Sequence, residues 1–309
     1  MTDDGEWSVS GDRDRSINDE GDRLFHVDGE LVPAGEATVN VRDRGFMYGD
    51  AAFETLRAYG GAVFEWEAHA DRLANTCDSL ALDHGLSRGE LRSRIDRTLA
   101  ANDFENAYLK ISISRGVQPG TLDPDPDVDP TVVVYARPLP RGGMQGNPVF
   151  DGPATIRTAE TRSIPDAAIP ATAKTHNYLD GILARIEARA VDADEALLCD
   201  ADGHVAEGAT SNVFFVSEDV LRTPSLDGPV LPGITRRIVL DLAAAEGIPV
   251  EEGSYEPEDL RRADEAFLTN TIAEIRPIET IDETAVGGGP ITRLLRELFD
   301  RRVERICYR

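Results

Sequence analysis

The chain has 309 residues, 57 of them acidic against 32 basic, for a formal charge of -25. A phosphate backbone needs a basic footprint, so this balance excludes nucleic-acid binding as the main task. With 41% hydrophobic residues in patterned runs, the chain is no disordered acidic polymer, and its length suits one or two domains with a sizeable core.

In chain order, Leu24 to Val27 and Leu31 to Pro33 flank the turn pair Asp28-Gly29 and predict a hairpin. Ala52 to Tyr59 predicts a strand, and Gly60-Gly61 turns it into Ala62 to Phe64. Glu67 to Leu80 has helical period, with Ala70, Leu73, Cys77 and Leu80 on one side, and a second helix follows over Arg88 to Ala100. Tyr108 to Ser114 and Thr131 to Ala136 predict strands that face each other across the acidic, proline-rich loop Gln118 to Pro130. The glycines and prolines of RPLPRGGMQGNP, 137–148, cannot sit inside a regular element and mark a boundary.

Beyond it the pattern predicts strands at 154–158, 195–199, 212–216 and 265–268, with helices at 177–191, 234–246 and 291–302. Strands outnumber what a βαβ alternation would supply, so the fold class is α+β rather than a doubly wound sheet. The organisation reads as a leader over 1–23, a small N-terminal domain over 24–136, the connection 137–148, and a larger C-terminal domain over 149–309. No apolar run approaches the roughly 18 residues of a membrane helix, and the leader lacks a signal-like apolar stretch, which predicts a cytoplasmic protein. Cys77, Cys199 and Cys307 form no CxxC and the five histidines no HExxH, so neither a disulfide framework nor a metal is implied.

Arginine supplies almost all the positive charge, for Lys110 and Lys174 are the only lysines. High acidity with so little lysine suggests a chain adapted to concentrated salt. Arginine can replace lysine as a surface cation but not as an imine-forming amine, so a retained lysine hints at amine chemistry. Lys174 stands just before an amphipathic helix in AIPATAKTHNYLDGILARIEARA; Lys110 has no evident role. Glu207, in DADGHVAEGATSNVFFV, is either an exposed edge carboxylate of a hairpin turning at Asp202-Gly203 or the partner of a protonated ring nitrogen of the pyridoxal type. LPGITRR runs from a turn into a helix whose first turn, with Thr235, offers free N–H groups to a phosphate, or is an ordinary helix start. FLTNTIAEIRPI adds Asn270 and Thr271 as donors at a strand end.

Seven stretches, in order, resemble the class IV fold of pyridoxal-phosphate enzymes: DRGFMYGDAAFETLR, HADRL, SRG, KTHNYL, EGATSNVF, LPGITR and FLTNTIAEIRPI. The resemblance spans residues 24 to about 300 and covers a group of branched-chain aminotransferases, D-amino-acid aminotransferase and 4-amino-4-deoxychorismate lyase. It implies two domains with pyridoxal 5'-phosphate in the cleft between them, and a homodimer whose partner loops help close the site. It implies that Lys174 binds the cofactor covalently, that Glu207 pairs with the pyridine nitrogen, and that Arg72, Ile234, Thr235 and Thr271 hold the phosphate, with Asn270 beside them. Tyr178 would neighbour the phenolic oxygen or Lys174. Arg57 and Arg115 would recognise the carboxylates of a small-molecule substrate, with Phe53 where D-amino-acid aminotransferase has a tyrosine. His69 and His176 would be structural. FETLR and FLTN resemble the lyase most, which points to release of pyruvate from aminodeoxychorismate to give 4-aminobenzoate for folate-type cofactors. The alternatives are a branched-chain or broad-specificity aminotransferase, favoured by TIAEIRPI, and D-amino-acid aminotransferase.

Overall fold

Asp28 and Gly29 take φ of 48° and 102°, as a tight hairpin between right-twisted strands requires, and Val27 pairs with Glu30 across them. The computed structural model describes residues 23–144 and 146–308; residues 1–22 of the predicted leader lie outside them. From the hairpin onward the elements are β1 (Leu24–Val27), β2 (Glu30–Pro33), α1 (Arg44–Tyr48), β3 (Ala51–Tyr59), β4 (Ala62–Val63), α2 (Trp66–Ser79), α3 (Arg88–Ala101), β5 (Ala107–Ser114) and β6 (Thr131–Pro138). Then come β7 (Ala154–Arg162), α4 (Leu179–Ala190), β8 (Glu195–Cys199), β9 (Val205–Gly208), β10 (Asn212–Ser217), β11 (Val220–Pro224) and α5 (Ile234–Ala245). The chain ends with β12 (Val250–Gly253), α6 (Pro257–Arg261), β13 (Glu265–Asn270), β14 (Glu274–Ile281), β15 (Thr284–Ala285) and α7 (Pro290–Cys307).

The strands up to β6 form a six-stranded antiparallel sheet in the order β2-β1-β6-β5-β3-β4. Those from β7 onward form a nine-stranded mixed sheet, β12-β11-β10-β13-β14-β7-β8-β9 with β15 on β14. The α+β expectation holds. So does the predicted pairing of β5 with β6, which runs unbroken from Ala107↔Pro138 to Ser114↔Thr131. α2 and α3 cover one face of the first sheet, where Leu56, Leu73, Ile95, Leu109 and Ile111 share a core. α5 and α7 cover one face of the second through Phe214, Ile238, Phe267, Leu295 and Phe299, while Val213, Phe215 and Leu268 point to a core on its other face. That alternation is the two-residue period of a strand buried on both sides.

Two local expectations change. α4 begins at Leu179 rather than at Asn177, because the segment before it is held to β3 through Lys174, Thr175 and His176 and turns at Tyr178 before the helix starts. EIRPIETI, which carried no predicted strand, is β14; its Pro277 lies opposite Phe267 of β13.

Candidate active site

Lys174 is fixed from both sides before its side chain is considered. Its carbonyl accepts from Phe53 N at 3.0 Å, Ala51 accepts from His176 N at 3.0 Å, and Lys174 N donates to Thr76 Oγ1 at 3.0 Å. β3 and α2 thus hold the lysine segment at the mouth of a cavity of about 1080 Å³ between the two sheets. Lys174 Nζ reaches into it, donates to Tyr178 Oη at 2.8 Å and stands 4.6 Å from the centre of the Phe53 ring.

The second sheet supplies the carboxylate. β9 pairs with β8 through Leu198↔Glu207, so the hairpin exists, but Glu207 is no exposed edge residue. Its Oε2 accepts from Asn212 Nδ2 at 3.0 Å and Leu231 N at 3.1 Å, and it lines the cavity. Burial pushes its carboxyl up to about 8, against the opposing pull of the Leu231 N–H and of the Lys174 charge. Among the described residues no cation stands within ion-pair distance of it.

α5 begins at the same cavity. No side chain caps its first turn, so the amides of Ile234 and Thr235 keep free N–H groups where the helix dipole is positive. Gly233 is required at the start of that turn, for a Cβ there would run into Asn212 Oδ1. Thr271 lines the cavity too. Asn270 also lines it, but its Oδ1 accepts from Ile272 N and Ala273 N at 2.9 and 2.7 Å, which makes it the former of that turn.

Arg72 lines the cavity as part of a buried triad. Its Nε and Nη2 donate to Glu54 Oε1 and Oε2 at 2.7 and 2.8 Å, and Nη1 donates to Pro232 O at 3.1 Å, just before α5. His69 Nδ1 lies 2.8 Å from the same carboxylate. Burial alone would raise Glu54, but Arg72 and His69 draw it down to about 2, so Arg72 is held by a full negative charge. The other histidine of the resemblance, His176, does line the cleft, at 3.1 Å from Ser112 Oγ, and burial followed by the Lys110 charge lowers it to about 4.

The two arginines expected to bind substrate are elsewhere. Arg57 is 1% exposed, and its Nη groups donate to the carbonyls of Ile272, Pro140 and Arg141, with Glu274 Oε1 at 3.1 Å from Nη1. Arg115 donates to Asp50 at 2.8 and 3.1 Å and to the carbonyls of Ala81 and Leu80. Neither lines the cavity; the Nη groups of Arg57 and the donors of Arg115 are directed to acceptors within the protein, while Arg57 Nε is buried without one. Besides Arg72 and Lys174, the cavity is lined by a third cation, Lys110, for which sequence reasoning found no role. It lies on β5 between Tyr108 and Ser112 on the cavity side of that strand, with Nζ 4.3 Å from the Phe53 ring centre. Burial, then the Lys174 charge, lowers it, and among the described residues it has no carboxylate partner. Two-residue alternation on a strand already predicted was the signal that could have found it.

The family model described as Amino-transferase class IV matches residues 51–281. This chain belongs to the class IV aminotransferases. It is 39% identical over 278 residues to a Methanocaldococcus jannaschii protein provisionally named a branched-chain-amino-acid aminotransferase, covering 89% of this chain and 94% of that one. It is 34% identical to the D-alanine aminotransferase of Listeria monocytogenes over 91% of this chain and 96% of the relative. The T.th. branched-chain amino acid aminotransferase with pyridoxamine 5'-phosphate superposes with a TM-score of 0.85 at 31% identity, over 93% of this chain and 95% of that structure. The branched-chain aminotransferase of Thermoproteus uzoniensis with norvaline superposes at 0.83 with 34% identity, over 91% and 94% of the chains.

This class IV chain is an enzyme whose cofactor is pyridoxal 5'-phosphate, and its residues fit that group. A buried carboxyl without a cation suits a protonated ring nitrogen, an uncapped helix start beside a buried arginine suits a phosphate, and a cavity-facing amine suits an aldehyde.

Proposed function

We propose that the enzyme is an aminotransferase exchanging the amino group of an apolar, branched-chain type amino acid with a dicarboxylic 2-oxo acid of the 2-oxoglutarate kind. The observation that carries this reading is the cleft wall itself. Val39, Phe46, Phe53, Val133 and Ile182 make it apolar, and Lys110 adds one cation without a carboxylate partner among the described residues. An apolar side chain and a second carboxylate can therefore use one cavity. The names of the relatives support an aminotransferase as well.

Bound pyridoxal phosphate supplies an electron sink for the pair left when the substrate Cα–H bond breaks. Lys174 Nζ takes up the Cα proton and returns it, held in place by Tyr178 Oη. Glu207, oriented by Asn212 and Leu231, keeps the ring nitrogen protonated. The first-turn amides of α5, Arg72 and Thr271 bind the phosphate, and Lys110 meets a substrate carboxylate beside the Phe53 ring.

The motifs that pointed to the lyase have other work. In FETLR, Glu54 holds Arg72 and His69, and Arg57 is buried away from the cavity; in FLTN, Phe267 and Leu268 lie in the two cores. They favour the fold rather than either reaction. The homodimer and the cytoplasmic location belong to the same proposal; three buried free cysteines suit a reducing compartment.

The test is a panel. Leucine or valine with 2-oxoglutarate should yield glutamate, and Lys174→Ala should abolish both turnover and the visible absorbance of the purified holoenzyme. Lys110→Met should raise the KM for 2-oxoglutarate about ten- to hundredfold, the range for losing a charged hydrogen bond, with a smaller effect on leucine. Activity confined to D-alanine would replace the donor assignment. Formation of 4-aminobenzoate and pyruvate from chorismate, glutamine and an aminodeoxychorismate synthase, with no transamination, would overturn the proposal.

A further inference from the structure

Arg57 joins parts of the chain far apart in sequence. It rises from β3 of the first sheet, and one Nη donates to Ile272 O, in the turn between β13 and β14 that lines the cavity with Asn270 and Thr271. The other Nη donates to Pro140 O at 2.8 Å and Arg141 O at 2.7 Å in the connection between the sheets. Glu274, immediately past the turn, is a non-glycine residue at φ 59°, a conformation that costs free energy and persists only where the surroundings enforce it. Its Oε1 accepts from Tyr59 Oη at 2.8 Å and pairs with Arg57 at 3.1 Å. The Tyr59 ring lies beside both Arg57 and Arg141, at 4.5 and 5.1 Å from ring centre to guanidinium carbon. Arg141 is held in turn by Asp300 and Glu304 of α7.

We propose that Arg57 is a positioning residue that clamps the Ile272 turn to the first sheet, and so fixes the part of the cavity wall that Asn270 and Thr271 form. The planar guanidinium is needed because acceptors on three segments must be met at once by donors in a fixed fork; an ammonium on a flexible stem cannot span them. The clamp explains why an arginine of the FETLR motif is buried without touching the cavity. Its effect on cofactor binding rests on the functional reading above, whereas its effect on the turn does not.

The experiment separates the two. Hydrogen exchange of the unliganded protein should show the peptide over residues 268–275 exchanging faster in Arg57→Lys, and to a lesser degree in Glu274→Gln, with the β5 and β6 peptides unchanged. Titration with pyridoxal phosphate should show binding weakened on the order of tenfold in Arg57→Lys, since small displacements at a positioned site carry penalties of that size or more. Wild-type exchange at 268–275 in Arg57→Lys, or a rise spread through both sheets, overturns the clamp. Faster local exchange with undiminished cofactor affinity overturns its role in shaping the site. A wild-type protein that failed to bind pyridoxal phosphate would sink the functional reading and leave the exchange result to decide the clamp.

Discussion

Both lysines of this chain face one cavity, and both stand against the same ring, Phe53, at 4.3 and 4.6 Å from its centre. Elsewhere arginine serves, which is what the differing chemistry of the two side chains predicts when only the cavity needs an amine. That Lys174 and Glu207 would come to one cavity was legible in the sequence, because each sits in a short motif whose backbone the fold dictates. Arg57 and Arg115 were not, because a sequence shows that an arginine has five donors but not what satisfies them. Glu207 has a pH signature. Its folded value of about 8 lies above the ordinary 4.5, so its contribution to apoprotein stability is full below pH 4.5 and is lost as pH rises through 8. Glu207→Gln has no such loss. Thermal melts of the two apoproteins should therefore diverge with rising pH over that window in favour of the variant, while cofactor binding should reverse the order, since the ring cation needs the carboxylate. A melting difference that stayed constant across the window would refute the assignment of this shift to Glu207.

The elements most readable in the sequence were those with one buried and one open face: α2 and α7 by helical period, β5 and β6 by alternation. β14 was missed because Pro277 argues against a strand, and β12 because three of its four residues, Val250 among them, are exposed, which leaves no period to read. α4 raises a different question. Gly181, Ala184 and Ala188 pack its inner face, yet Leu179, Ile182, Leu183 and Ile186 on its outer face are 64, 54, 46 and 59% exposed. Four apolar residues at helical spacing on one outer face mark an interaction surface rather than scatter. Leu179 and Ile182 also line the cavity, so a second copy of the chain seated there would close it. Light scattering should give twice the chain mass for the wild type. Ile182→Asp combined with Ile186→Asp should give a monomer with an unchanged circular dichroism spectrum and weakened cofactor retention. A dimeric double variant, or a monomeric wild type, would place the interface elsewhere or nowhere.

At the scale of the whole molecule, a charge of -25 repels itself, and the arginines are largely drawn into pairs with the surrounding carboxylates. The cavity is the exception, where Lys110 and Lys174 gather positive charge for an anionic cofactor and anionic substrates inside an anionic protein. Salt acts differently on the two. The screening length falls from about 10 Å at 0.1 M to about 3 Å at 1 M, so repulsion among separated surface carboxylates fades while contacts at hydrogen-bond distance inside the cavity are little touched. Potassium chloride should accordingly raise the melting temperature near neutral pH and leave the affinity for pyridoxal phosphate nearly unchanged. The control is pH. Close to the isoelectric point of about 4.5 the net charge vanishes, and the dependence of melting temperature on salt should flatten, whatever the absolute stability there. Equal salt dependence at both pH values would mean that salt acts through apolar burial instead, and the acidic surface would then have no part in the stability of this enzyme in concentrated salt.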